Sequence, residues 1–169
     1  MSACMRKMTE RDLELVLDWR NHPDVRCFMF SRHEIALGEH KAWFEKASQQ
    51  ENRHLLVYEQ DSQASGFVNL AVSVGGIAEW GFYTDPVAPK GTGKALGDQL
   101  LSYAFGELKL HKLVGQVLAY NERSRNFHLR LGFQQEGILR QQHFDGDKYH
   151  DIYSYGLLAS EWQQRQGEN

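Results

Sequence analysis

The spacing of apolar residues divides the chain into helical and extended segments. From Leu13 onward, apolar residues recur at helical intervals, and Thr9 is predicted to cap this helix. Arg20 is the last residue of the stripe of residues on the apolar helix face, and Pro23 ends the helix. The pattern also predicts helices at 34–50, 92–108 and 121–132, strands at 54–60, 66–74, 77–84, 112–120, 133–144 and 148–158, and a loop at 24–33. This order of elements predicts an α+β domain of three layers, α/β/α, rather than a doubly wound parallel sheet.

Composition excludes several classes of protein. The chain has 169 residues, the length of one ordinary domain, so residues 1–169 are expected to form a single domain. Its formal net charge of −3 lacks the basic excess of proteins that bind nucleic acid or membrane surfaces. Neither a membrane span nor a secretion signal is recognisable, so a cytoplasmic location is expected. Two cysteines and scattered histidines predict neither a disulfide framework nor a metal site.

A loop of small and basic residues, leading from a strand into a helix, is the most informative local pattern. It reads Lys90-Gly91-Thr92-Gly93-Lys94-Ala95. Glycine lets the backbone approach an anion closely, and the first amides of a helix lack internal partners, so the loop is expected to bind a pyrophosphate. The loop does not match a P-loop, because it lacks the Gly-Lys-Ser/Thr that ends that motif. It does not match a Rossmann fingerprint either, because Leu96 stands where that motif has its third glycine. An ordinary loop before a helix fits this segment alone equally well.

With two further motifs, the chain resembles the Gcn5-related N-acetyltransferase superfamily along essentially its whole length. These motifs are Ala119-Tyr120-Asn121 and His128-Leu129-Arg130-Leu131-Gly132-Phe133. The resemblance implies a central mixed, mostly antiparallel sheet that splays open between its fourth and fifth strands to admit acetyl-CoA. It also implies the coenzyme contacts, although Lys90 stands where the family has Arg or Gln. The predicted contacts are Phe82, Tyr83, Lys90, Gly91, Thr92, Gly93, Lys94, Ala95, Asn121 and Ser124.

A narrower resemblance concerns the acceptor. The segments 18–21, 28–30, 39–44, 80–83 and 110–113 are similar to the branch that acetylates the 4-amino group of a UDP-4-amino-4,6-dideoxy-N-acetylhexosamine in pseudaminic acid biosynthesis. The tail at 136–140 looks like the ribosomal-protein N-terminal acetyltransferases. A UDP-amino-sugar is therefore the expected acceptor. A protein N-terminus or another small amine is the first alternative, and a non-catalytic sensor that binds acyl-CoA is the second.

Two residues are candidates for proton transfer, which this chemistry requires at the amine and at the departing thiolate. His128 lies on the inward helix face, where the superfamily usually places the tyrosine that protonates the coenzyme A sulfur. A hydrogen-bonded core histidine fits that position as well. Glu79 occupies a strand position where relatives often use a carboxylate as a base through water, and a solvated carboxylate fits equally. Asn121 is also expected to cap the helix that follows it.

Aromatic and basic residues of the first half are expected to bind the acceptor, because a uracil stacks on flat rings and a diphosphate suits an arginine fork. The predicted acceptor residues are Arg20, Phe28, Met29, His40, Trp43 and Tyr83. Arg20 is the strongest candidate, since it ends an apolar stripe, although an arginine at a helix carboxyl end also complements the helix dipole. No nucleic acid or membrane partner is expected, and the last two strands leave a homodimer open.

Overall fold

A computed structural model describes residues 2–168, and within them the chain forms seven strands and six α-helices. The strands are β1 (Ala3–Lys7), β2 (Arg53–Gln60), β3 (Gln63–Ser73), β4 (Ile77–Thr84), β5 (Lys112–Leu118), β6 (Gln134–Phe144) and β7 (Tyr149–Leu158). The helices are α1 (Leu13–Asn21), α2 (Pro23–Arg26), α3 (Leu37–Ser48), α4 (Thr92–Leu101), α5 (Glu122–Leu131) and α6 (Ala159–Gly167). None of the described helices is long and apolar enough to cross a membrane.

The strands form a mixed sheet in the order β1-β2-β3-β4-β5-β7-β6. β4 and β5 pair in parallel, whereas β1 with β2, β2 with β3, β5 with β7 and β6 with β7 are antiparallel. The parallel pairing runs only from Ile77 and Lys112 to Trp80 and Gly115, although both strands continue beyond it. The predicted α+β class with a mostly antiparallel sheet is confirmed.

Contacts between residues divide the chain into two compact units. Unit 1 comprises the residues up to Ala71 together with Gly81–Gln99, and unit 2 comprises Val72–Trp80 together with the residues from Leu100 onward.

The core of unit 1 packs α1 and α3 on β2 and β3. The α1 stripe is buried as predicted, and Val16 and Trp19 meet Val57 and Phe67 in the core. A short 3₁₀ turn, Glu10–Asp12, precedes α1, and a capping interaction fixes its start: the amide of Thr9 donates to Asp12 Oδ2 at 2.8 Å.

The core of unit 2 packs α5 against β5 and β7. Phe127 and Leu131 on α5, Val117 on β5 and Tyr155 on β7 are all buried. Gly132 ends α5 in the left-handed conformation with φ 103°. This termination agrees with the predicted helix end.

The structure corrects the sequence prediction at four places. The predicted loop at 24–33 begins with the short helix α2, because Pro23 opens a helical turn and His22 Nδ1 accepts from the amide of Asp24. The strand β1 and the helix α6 were not predicted. β1 has five residues and no alternating pattern, and α6 has no buried residue. The spacing of apolar residues therefore predicts neither element. The predicted helix at 92–108 leaves α-helical geometry after Leu101 and continues as a π-helix over Ser102–Glu107.

Candidate active site

The predicted pyrophosphate loop lies in unit 1, where it forms the start of α4. A tight turn precedes the helix: the Thr92 amide and hydroxyl both donate to the carbonyl of Pro89, at 3.2 and 2.7 Å, and Gly91 has φ 96°. Within residues 2–168, the amides of Gly93 and Lys94 donate to no main-chain oxygen outside the helix. Two amides are thus left at the positive end of the helix dipole, which is the arrangement that binds an anion.

The two lysines of the loop differ in their ion pairs. Lys94 Nζ is 2.7 Å from Asp98 Oδ2, one turn along the same helix face. Lys90 is exposed and has no ion pair among the described residues. The charge available to a diphosphate therefore comes mainly from Lys90 and the helix end.

Gly66 on β3 seats the first turn of α4. A methyl group at position 66 would overlap Leu96 Cδ1, and would lie 3.4 Å from the carbonyl oxygen of Tyr83. Because Leu96 is fully buried, the glycine is what allows α4 to approach the strand this closely.

Phe82 and Tyr83 lie on β4 beyond Trp80, where the pairing with β5 has ended, and both side chains are half-buried. The Tyr83 ring packs on Phe67 with centroids 5.1 Å apart. Burial raises the pKa of the Tyr83 phenol well above its usual range, against an opposing effect of the nearby Arg20 charge. Tyr83 is therefore a neutral hydroxyl at physiological pH.

Arg20 carries a buried positive charge with incomplete bonding. Its side chain is 7% exposed, and NH2 donates to the carbonyl of Ser31. NH1 is buried and has no hydrogen-bond acceptor among the described residues. Burial lowers the pKa of Arg20, while Tyr83 and Glu39 act in the opposite direction. Buried charges are normally paired, so this guanidinium nitrogen is a candidate contact for an anionic or polar ligand.

His40 stands beside Arg20 and is also incompletely bonded. It is 3% exposed, and burial lowers its pKa, assisted by the Arg20 charge and opposed by a hydrogen bond to the main chain of Leu13. Nε2 has no partner among the described residues, so the bond to Leu13 is made by Nδ1–H. His40 is consequently neutral, and its Nε2 offers a lone pair to a ligand that carries an N–H or O–H group.

An aromatic chain extends this group of acceptor candidates. The His40 ring stacks on Trp43 with centroids 5.3 Å apart at 20°, and Trp43 meets Phe67 edge-on at 5.9 Å. The structure thus brings together four of the predicted acceptor residues, namely Arg20, His40, Trp43 and Tyr83. Phe28 and Met29 lie on the turn that follows α2, where their amides donate to the carbonyls of Val25 and Arg26, and Phe28 is 37% exposed.

The remaining coenzyme candidates lie in unit 2, at the start of α5. The side chain of Asn121 accepts a hydrogen bond from the amide of Ser124 at 3.2 Å, so its predicted role as helix cap is confirmed. Both side chains are half-buried. Whether they contact a coenzyme remains a prediction from the resemblance.

His128 is enclosed by aromatic rings. It is 3% exposed, stacks on Tyr155 at 5.3 Å and 20°, and meets Trp80 and Phe133 edge-on at 5.4 and 5.0 Å. Its Nδ1 lies 2.8 Å from the carbonyl oxygen of Ser124. A carbonyl only accepts, so Nδ1 carries the proton and Nε2 carries the lone pair. Burial lowers the pKa of His128 to about 4, despite the opposing bond to Ser124.

This low pKa predicts a loss of stability in mild acid. Below pH 6.5 the unfolded chain protonates His128, whereas the folded chain does so only near pH 4. The free energy of unfolding is therefore complete above pH 6.5 and falls between pH 6.5 and 4. Between pH 7 and pH 5, the titration of His128 alone is expected to lower the free energy of unfolding by about 2 kcal/mol. Urea unfolding of the wild type and of His128→Gln at both pH values measures the difference, and parallel losses would contradict it.

Glu79, the candidate base, is an exposed carboxylate on β4. Its neighbours in sequence, Ala78 and Trp80, are buried, so Glu79 lies on the opposite face of the strand from the aromatic cluster around His128. It is accessible to water, as its predicted role requires.

Sequence reasoning missed the surroundings of His128, above all Gly115 and Tyr155. A glycine inside the apolar strand run at 112–118 is a signal of close approach by another group, but it does not say which group approaches. In the described part of the chain, no three His, Cys, Asp or Glu side chains gather in a way that could hold a metal ion.

Known proteins resemble this chain in sequence and in fold. The family model described as acetyltransferase (GNAT) domain matches residues 3–134. A Campylobacter jejuni protein named acetyltransferase PseH (serotype O:2) is 30% identical over 157 residues, which cover 91% of this chain and 90% of that protein. Its counterpart from serotype O:23/36 is 28% identical over 158 residues, covering 92% and 91%. The solved spermidine N-acetyltransferase of Vibrio cholerae, in complex with CoA and spermine, superposes with a TM-score of 0.88 at 22% identity, over 95% of this chain and 98% of that one.

Proposed function

The chain belongs to the GNAT acetyltransferase family, and from that premise we propose that it acetylates the 4-amino group of a UDP-4-amino-4,6-dideoxy-N-acetylhexosamine in pseudaminic acid biosynthesis. N-acetyltransferase activity follows from membership of the family, whose members use acetyl-CoA. The identity of the amine is the proposal. The observation that carries it is the buried guanidinium of Arg20, whose NH1 has no acceptor among the described residues.

The open charge on Arg20 favours an anionic acceptor. A UDP-sugar carries a diphosphate, which would supply the oxygen atoms that NH1 lacks. A polyamine carries several positive charges, and a buried cation in the acceptor site would repel it. Glu39, the carboxylate that acts on Arg20, is exposed and bonded to His33 at 2.9 Å. The Vibrio cholerae structure therefore supports the fold of this chain, whereas the charge at Arg20 argues against a polyamine acceptor here.

The neighbours of Arg20 suit the rest of a nucleotide sugar. Trp43, which is half-buried and backed by the stacked His40 ring, would offer a flat apolar surface to a uracil base. The lone pair of His40 Nε2 would accept from the imide N–H of the base or from a sugar hydroxyl, and the neutral Tyr83 hydroxyl would donate. Phe28 and Met29 remain proposed contacts at the outer end of the site.

The donor half of the proposal rests on the loop at 90–95. The pyrophosphate of acetyl-CoA would receive the free amides at the start of α4 and the charge of Lys90. Phe82, Tyr83, Asn121 and Ser124 are proposed to line the pantetheine arm. Direct attack by the amine on the bound thioester fits better than a covalent enzyme intermediate, because neither cysteine has a neighbouring base in the sequence.

We assign the proton movements to Glu79 and His128. Glu79 lies on the other face of β4 from the His128 cluster, so the acceptor loses its first proton to Glu79 through a chain of water molecules, and the free amine then attacks the thioester carbonyl. As the C–N bond forms and the C–S bond breaks, the second proton passes from nitrogen to His128 Nε2 and on to the sulfur, which leaves as the thiol. His128 suits this shuttle because its Nδ1–H tautomer presents an unprotonated Nε2.

Release of the coenzyme A thiol measures the proposed activity directly. We expect release with acetyl-CoA and a UDP-4-amino-4,6-dideoxy-N-acetylhexosamine, and competitive inhibition by UDP against the sugar. Spermidine and peptides with free N-termini serve as the comparison amines. Turnover confined to either of these would overturn the sugar assignment, and binding of acetyl-CoA without release for any amine would indicate a non-catalytic sensor.

A further inference from the structure

Gly115 lies at the point of β5 where two rings of unit 2 meet the main chain. It is buried, and with Trp80 it forms the last register pair of the parallel β4–β5 pairing. A methyl group at position 115 would overlap His128 Nε2, and would lie 2.8 Å from His128 Cδ2 and 2.9 Å from Trp80 Nε1. Real Cβ atoms essentially never approach this closely. Only glycine leaves room for both rings as they stand.

Both rings are held by other residues of unit 2. His128 is tied to Ser124 through Nδ1 and stacked on Tyr155. Trp80 stacks on Phe133 with centroids 6.0 Å apart at 13°, and the same Phe133 meets the edge of His128 at 5.0 Å. Because the His128 ring makes the shortest contact with a Cβ at position 115, a side chain there is expected to displace the imidazole from its bond to Ser124.

We propose that Gly115 is a positioning residue for acetyl transfer: by lacking a side chain, it leaves the His128 imidazole the place in which Nδ1–H is bonded to the Ser124 carbonyl. This inference rests on the proton shuttle assigned to His128. Gly115 touches no reacting atom and acts through the ring alone. A displacement of about 1 Å in a reacting group can cost on the order of 100-fold in rate, so the effect falls on kcat. The pyrophosphate of acetyl-CoA is proposed to bind at the loop at 90–95, which is built from other elements, so the KM for acetyl-CoA is expected to change much less than kcat.

Gly115→Ala tests the proposal with a matched control in the same unit. We expect kcat to fall about 30- to 100-fold, with the KM for acetyl-CoA within about twofold of wild type. Gly156→Ala is the control, because a methyl group there also meets a side chain at 2.5 Å. That side chain is the flexible Glu136, which pairs with Lys112 away from His128. Its kcat is expected to stay within about twofold of wild type. Both variants are assayed with the amine that the wild type acetylates.

The nitrogen NMR signals of His128 supply a readout that general loosening of the fold would not give. We expect the Nδ1–H tautomer in the wild type and in Gly156→Ala, and altered His128 nitrogen shifts in Gly115→Ala. An Nε2–H tautomer in the wild type would overturn the proposal without any variant. A fall in kcat with unchanged His128 signals would overturn it too, as would displaced signals with wild-type kcat.

A failure of the proposed function is distinguishable from a failure of this inference. If the acceptor assignment is wrong, the Gly115→Ala effect persists with whichever amine is turned over. If His128→Gln keeps wild-type kcat, the shuttle is wrong, and the catalytic role of Gly115 is overturned with it even where the NMR signals move.

Discussion

Replacing Arg20 with glutamine is expected to lower kcat/KM for the UDP-amino-sugar about 100-fold, through a raised KM for the sugar. Removing one partner of a buried charged contact costs about 2–5 kcal/mol, and each 1.4 kcal/mol is a factor of about ten. The KM for acetyl-CoA should stay within about twofold, because the coenzyme is proposed to bind at the loop at 90–95. Steady-state kinetics with each substrate varied in turn separates the two constants.

The stability of Arg20→Gln distinguishes a binding residue from a structural one. The substitution removes a bond to Ser31, but it also removes a buried charge that lacks a full set of partners. We therefore expect the free energy of unfolding to stay within about 1 kcal/mol of wild type. Arg11→Gln, at an exposed position, is the control for loss of a positive charge. Unchanged kinetics, or unfolding of the variant, would show that Arg20 serves the fold and not the acceptor.

Replacing His128 with alanine is expected to lower kcat about 100-fold while the KM for acetyl-CoA changes less than about threefold. Proton transfer by a positioned side chain contributes about 100- to 10,000-fold, and the shuttle assigned to His128 is lost with the ring. The acidic limb of the kcat profile should lie near pH 4 in the wild type, because His128 has its pKa lowered to about 4 and must be neutral to accept a proton. Steady-state kinetics of both proteins check kcat and KM, and wild-type rates measured from about pH 3.5 to 8.5 check the position of the acidic limb.

Alanine at position 128 also leaves a cavity among the rings of Trp80, Phe133 and Tyr155, so a second variant separates catalysis from packing. The amide of His128→Gln can still donate to the Ser124 carbonyl, but it cannot take up a proton. Its kcat should fall as in His128→Ala, with a smaller loss of stability. Wild-type kcat in the glutamine variant would reduce His128 to a packing residue.

Much of the fold could be predicted from the sequence, because the apolar residues of each long helix or strand recur with the period of that element. The α1 stripe and the strand β4 were located from the spacing of apolar residues, and the left-handed Gly132 followed from the end of the α5 pattern. β1 and α6 escaped because one is stabilised by pairing with β2 and the other has no buried face. Their existence depends on residues far away in the chain.

Some features of the candidate site could likewise be predicted from the sequence, and others could not. The loop at 90–95 could be recognised because an anion cradle is local: glycine, a turn and a helix start within six residues. The inward position of His128 could also be read from one helix face. Its tautomer and low pKa depend on the Ser124 carbonyl and on the enclosing rings of Trp80, Phe133 and Tyr155.

By itself, the sequence determined the family, a candidate loop for the coenzyme and a set of acceptor candidates, since these are carried by residue types at fixed short spacings. Only the tertiary structure decided that Arg20 keeps an open NH1, that His40 offers a lone pair, and that Gly115 makes room for His128. The spacing of apolar residues along one helix or strand indicates which of its side chains are buried. Which partners it meets, and which it lacks, depends on residues that folding brings together from distant parts of the chain.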